Sequence, residues 1–144
     1  DVAGSSDYFL FSAVTYSNDA KMNVLGVQKK TLVEYGAVHE TTALEMAEGV
    51  RKKSGADYGI STTGIAGPGG GSPEKPVGMV CIGLSAASIS LARTYKFPFD
   101  DREMNKQIFA ATALNLLRRS CCDEFLFRKQ SKAGTTRNPI YLSF

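Results

Sequence analysis

The residues of this chain best suited to chemistry lie between Thr63 and Pro76, in the run TGIAGPGGGSPEKP. Five glycines, Gly64, Gly67, Gly69, Gly70 and Gly71, let the main chain take positive φ and let a ligand approach it closely. Successive free N–H groups could then cradle a phosphate or an oxyanion. No Gly-Lys-Ser/Thr follows the glycines, so this is not a Walker A loop. Nor is it a dinucleotide fingerprint, because the spacing differs and a hairpin strand is expected where a phosphate-binding helix should begin. On composition alone, a long ordered turn with no ligand is an equal alternative. Arg102 opens the last expected helix, where a cation opposes the helix dipole. A grip on an anionic phosphate would account for it, and a surface ion pair with Asp100 or Asp101 is the plainer alternative. His39 is the only histidine and no Cys-x-x-Cys occurs, so no zinc site is expected.

The elements that must hold this loop follow from periodicity. Tyr8 to Ser17 is aromatic and β-branched without a breaker and predicts a buried strand. Ser17, Asn18 and Asp19 offer caps for a short helix to about Leu25, with Gly26 closing it. Lys29 to Tyr35 predicts another short helix, closed by Gly36. The next helix spans about Glu40 to Ser54, with Ala43, Leu44, Ala47 and Val50 as its apolar stripe and Thr42 and Glu45 at capping-box spacing. Asp57 to Thr63 predicts a strand, and the apolar run Val77 to Leu84 a central strand covered on both faces. Alternation from Ile89 to Phe97 predicts an antiparallel hairpin partner for it. A long helix follows from Asp100 or Asp101 to about Arg119, with Phe109, Ala113, Leu116 and Leu117 on its buried face. The layout predicts an α/β fold, a three-layer α/β/α domain whose mixed sheet includes an antiparallel hairpin.

Composition sets the limits. With 43% hydrophobic and 22% charged residues, 144 residues suffice for one domain with its own core. No apolar run approaches the roughly 20 residues needed to span a bilayer, so no membrane partner is expected. Cys81 reads as a core residue, and Cys121 and Cys122 as packing or surface thiols. Three cysteines make no disulfide framework, which suits a reducing cytoplasm. Residues 118–144 carry six basic side chains against two acidic ones, whereas residues 1–117 are close to neutral. With no basic stripe and no interleaved aromatics, the body argues against a nucleic-acid partner, and the basic tail reads as solvated. The chain begins with Asp1 and not Met, so a fragment or a processed product is expected.

Three runs carry a resemblance. Val2 to Val27 (VAGSSDYFLFSAVTYSNDAKMNVLGV), Glu34 to Glu40 (EYGAVHE) and Thr63 to Gly78 (TGIAGPGGGSPEKPVG) resemble, in this order, the C-terminal domain of the competence-damage-inducible CinA family. The similarity covers about residues 1–119 and leaves 120–144 as a basic tail of unknown role. The resemblance implies an amidohydrolase that converts nicotinamide mononucleotide to nicotinic acid mononucleotide and ammonia, in pyridine nucleotide salvage, as a cytoplasmic homodimer without cofactor. It implies a serine nucleophile in a Glu-Ser-Cys-Thr-Gly-Gly motif upstream of the Ala-Gly-Ser-Ser run, and this sequence does not contain that motif. Residues 1–144 alone are therefore expected to be inactive. Lys21 matches the family lysine that would serve as general base, and Tyr16 the tyrosine of the same Tyr-Ser-Asn motif. Thr63, Gly64, Gly67, Gly69, Gly70 and Arg102 match positions expected to hold the substrate. A lysine can act as base only if burial or a nearby cation lowers its pKa. His39 departs from the family's usual serine, which would shift the helix cap to Thr41 or Thr42. Two other readings remain: a nucleotide-binding domain that does no catalysis, and a competence-associated module.

Overall fold

The computed structural model describes residues 3–132, with side chains as far as Asp123. Its apolar run forms β2 (Met79–Ser85), buried at every position. A strand without an exposed face needs a neighbour along each edge and cover above and below. The edges are taken by β1 (Gly59–Gly64) and β3 (Ser90–Lys96), both antiparallel to β2, in the order β1-β2-β3. The pleat sends alternate β2 residues to opposite faces. Val80 and Ile82 pack with Phe109 and Ala113 of α4 (Arg102–Lys132). Met79 and Cys81 pack with Ala43 of α3 (Glu40–Ser54). The result is an α/β domain in three layers.

α3 lies against the sheet backbone to backbone. A Cβ at Gly83 would come within 2.3 Å of Ala43 O, and one at Gly59 within 2.1 Å of Ala47 O. The polar side chains of β1 use this closeness: Ser61 Oγ donates to Ala43 O (2.5 Å) and Thr63 Oγ1 to Ala37 O (2.7 Å).

Two short helices precede α3. α1 (Asn18–Leu25) is capped by Ser17, whose Oγ accepts from Ala20 N (3.0 Å), and it ends on the left-handed Gly26. α2 (Lys29–Tyr35) has no cap side chain of its own. Glu45 of α3 supplies one from outside, accepting from Gln28 N (2.8 Å) and from Thr31 Oγ1 (2.7 Å). The expected Thr42–Glu45 capping box is thus absent, because Glu45 serves the neighbouring helix and Thr42 is buried, donating to Gly36 O. The cap of α3 also stays at residue 39: His39 Nδ1 accepts from Thr41 N (3.2 Å), and the ring stacks on Tyr35 with centroids 4.5 Å apart.

Two further expectations need correction. Tyr8 to Ser17 is not a strand: Tyr8 ends a turn, and 9–16 run as an irregular segment up to the cap of α1. Its residues 10–14 make no backbone–backbone hydrogen bond among the described residues. One side of the segment packs on the body through Ala13 and Thr15, while Val14 and Tyr16 stand 91% and 86% exposed. A strand needs a ladder partner, and none is present here. The described sheet is consequently antiparallel throughout. The outer edge of β1 has no neighbour among the described residues either. The last helix, in turn, runs well past Arg119 to Lys132. The remaining tail, 133–144, lies outside the described residues.

Gly83→Ala tests the closeness of α3 to the sheet. Forcing a methyl group against a backbone carbonyl should lower the unfolding free energy by about 1–3 kcal/mol in urea titrations. An unchanged midpoint would mean that α3 can move away from β2 without loss.

Candidate functional site

Lys21 sits one turn into α1 and is only 6% exposed. Its Nζ donates to Thr15 O (2.8 Å), so the extended segment closes over the side chain. No carboxylate forms an ion pair with it among the described residues. An ammonium has three donors, and burial without a counter-charge disfavours the charged form. Burial accordingly lowers the Lys21 pKa from its ordinary 10.5. Thr15 Oγ1 is itself buried and has no hydrogen-bond partner among the described residues. Sequence reasoning passed over Thr15; the alternation of the extended segment, which turns Thr15 inward and Tyr16 outward, was the available signal. Tyr16 accordingly faces solvent on the other side of the segment.

The second cluster is the glycine loop. It leaves β1 through Ile65, whose N–H donates to Met79 O (2.8 Å), and closes with Ser72 N donating to Lys75 O (2.9 Å). Lys75 Nζ reaches across to Tyr35 O at the end of α2 (2.7 Å). The glycines serve different ends. Gly67 and Gly70 take φ of +87° and +86°, which other residues rarely adopt. Gly64 belongs to β1, where a Cβ would come within 2.6 Å of Met79 O. Gly69 has open space around its Cβ position. The amides of Gly69, Gly70 and Gly71 make no backbone hydrogen bond among the described residues.

The start of α4 meets this loop. Arg102 Nη1 donates to Gly67 O (2.9 Å), and neither Asp100 nor Asp101 pairs with it among the described residues. The guanidinium has five donors, and this bond uses one of them. Asn105, three residues on and fully buried, donates through Nδ2 to Ala66 O (3.1 Å). Asn105 was missed from sequence, although it lies four residues before Phe109 and eight before Ala113. A polar residue on an apolar stripe signals a buried hydrogen-bonding role. Thr63, expected near the substrate, donates its hydroxyl to Ala37 O and faces α3. The structure thus brings Arg102 to the glycines. It does not join Lys21 to that loop by any hydrogen bond or ion pair among the described residues. Burial raises the Cys81 thiol pKa, which suits a packing role.

Comparison with known proteins gives the family. Residues 1–121 match the family model described as the CinA C-terminal domain. A CinA-like protein from Desulforapulum autotrophicum is 64% identical over 119 residues, covering 83% of this chain and 28% of that protein. The CinA-like protein of Salinibacter ruber is 53% identical over 119 residues, covering 83% and 29%. The chain therefore spans under a third of the length of these curated relatives. Among solved structures, the competence damage-inducible protein A of Klebsiella pneumoniae superposes with a TM-score of 0.71 at 33% identity, covering 76% of this chain and 67% of that one. The competence/damage-inducible protein of Agrobacterium tumefaciens gives 0.67 at 42% identity, covering 74% and 65%.

Lys21→Met should reveal the cost of burying the ammonium. The folded pKa lies below the unfolded one, so the unfolded chain binds more protons between the two values, and stability rises with pH across that window. The parent should gain stability relative to Lys21→Met as pH approaches 10.5 and hold no such gain at neutral pH. Parallel stability curves in paired urea titrations would show that Lys21 titrates normally.

Proposed function

The chain belongs to the family of the CinA C-terminal domain, and from that premise we propose that it forms the lysine and phosphate-binding part of an amidohydrolase acting on nicotinamide mononucleotide. The observation that carries this reading is Lys21: a buried, unpaired ammonium with a lowered pKa, beside a buried hydroxyl that lacks a partner. Such a lysine, once neutral, can take the proton from a serine hydroxyl. The serine oxygen then adds to the carboxamide carbon. Collapse of the tetrahedral adduct expels ammonia, with Lys21 returning the proton to the leaving nitrogen. Water then cleaves the acyl-serine ester, giving nicotinic acid mononucleotide and regenerating the hydroxyl.

The serine would come from the family's Glu-Ser-Cys-Thr-Gly-Gly segment, which this sequence does not contain. Two features leave room for such a segment: the unpaired outer edge of β1 and the outward side of the extended segment, where Tyr8, Phe9, Leu10, Val14 and Tyr16 lie exposed. Contiguous exposed apolar side chains of this kind mark a surface meant to be covered. The substrate phosphate is assigned to the amides of Gly69–Gly71 with the remaining donors of Arg102, a pairing of free backbone N–H groups with a fixed cation.

Two measurements test this in protein expressed from its natural start. Lys21→Ala and Lys21→Arg should each lower kcat by about 10²–10⁴-fold, the usual contribution of a general base, because a guanidinium stays protonated. The parent's kcat/KM should rise with pH along a limb whose midpoint lies below 10.5. Ammonia release by Lys21→Arg at the parental rate would remove the base from Lys21. Affinities for nicotinamide mononucleotide and its dephosphorylated riboside should differ strongly, and equal values would refute the phosphate assignment.

A further inference from the structure

Asn105 is 0% exposed and spans three segments. Its Nδ2 donates at once to Ala66 O in the glycine loop (3.1 Å) and to Phe99 O in the connection from β3 to α4 (2.9 Å). That connection carries Asp101, whose Oδ1 accepts from Met104 N (2.7 Å) and so caps α4, and it leads directly into Arg102. One buried amide therefore ties the loop to the backbone that carries the arginine. Arg102 holds the next carbonyl, Gly67 O. With two successive carbonyls, at 66 and 67, drawn to α4, the N–H groups that follow are those of Gly69, Gly70 and Gly71, which have no internal backbone acceptor.

The amide of Asn105 is not fully satisfied, because Oδ1 is buried without a partner. An unpaired buried acceptor is costly, but the same side chain gives its Nδ2 to two backbone carbonyls, which an apolar residue here would leave without that donor. Its neighbours on the same stripe, Phe109 and Ala113, are apolar and buried against Val80 and Ile82. The stripe therefore changes from packing to hydrogen bonding at the position where α4 meets the glycine loop.

From this juxtaposition we propose that Asn105 is a positioning residue for anion binding, fixing the glycine loop against the start of α4 so that the Gly69–Gly71 amides and Arg102 converge on one phosphate. This rests on the assignment of the loop to the substrate phosphate. Asn105 does not touch the ligand; it acts through Ala66 O and Phe99 O. Misplacing a binding group by about 1 Å can cost up to roughly a hundredfold, and the loss should fall on the phosphate-bearing ligand alone.

The experiment is a titration of ¹⁵N-labelled parent and of Asn105→Val with nicotinamide mononucleotide and, separately, with nicotinamide riboside, following the Gly69, Gly70 and Gly71 amides. Asn105→Ser, which keeps one short donor, serves if the valine variant does not fold. In the parent, the mononucleotide should shift these amides. In either variant its Kd should rise roughly ten- to a hundredfold, while the Kd for the riboside stays at the parental value. If the protein turns over, the loss should appear in KM rather than kcat. Equal weakening toward both ligands, or an unchanged mononucleotide Kd, overturns the proposal, as does a parent whose Gly69–Gly71 amides ignore the mononucleotide. Phosphate-dependent shifts without ammonia release would leave the role of Asn105 standing and count against the amidohydrolase reading alone.

Discussion

The domain depends on the complete burial of β2. A strand with no exposed position must be covered on both faces, and its two sets of side chains fix what covers it. Met79 and Cys81 hold α3, while Val80 and Ile82 hold α4. Each helix then carries one of the two candidate clusters. α3 holds α1 so closely that a Cβ at Gly49 would lie 1.8 Å from Leu25 O, and α1 bears Lys21. α4 brings Arg102 and Asn105 to the glycine loop. The positions of the lysine and of the loop are thus both set by how two helices dock on a single strand.

Within that frame the polar ties are selective. β1 sends Ser61 and Thr63 to backbone carbonyls near α3, and Glu45 caps α2 across a helix interface. These bonds satisfy groups that burial would otherwise penalise. The exceptions are few and sit at the candidate clusters. Thr15 Oγ1 and Asn105 Oδ1 are the buried side-chain polar atoms without a partner among the described residues. One lies beside the buried lysine and the other beside the glycine loop. Unsatisfied groups at such places fit a domain that gives up some stability for a site.

Much of this was legible in the sequence. The apolar run at Val77–Leu84, the hairpin alternation after it, the Ser17 cap of α1 and the closing glycines of α1, α2 and α3 are local signals, and the structure follows them closely. What the sequence hid was non-local. Tyr8 to Ser17 has strand composition, but a strand exists only where a partner offers its ladder, and here that edge is open. Glu45 has capping-box spacing, yet a neighbouring helix with no cap side chain competes for its carboxylate. His39 kept the cap because an imidazole nitrogen can accept an N–H as a hydroxyl does. At the candidate site, Lys21, Arg102 and the glycines came from the family resemblance and from residue type. Asn105 and Thr15 carried only a positional signal, an apolar stripe and an alternation; their hydrogen-bonding surroundings came from the packing.

The central claim is that Lys21 is poised to lose its proton because burial leaves its ammonium without a counter-charge. The direct measurement is an NMR titration of the Lys21 ε-CH₂ group in ¹³C-lysine-labelled protein, assigned with Lys21→Arg. Its midpoint should fall below the ordinary lysine value of 10.5. A midpoint at or above 10.5 contradicts the claim.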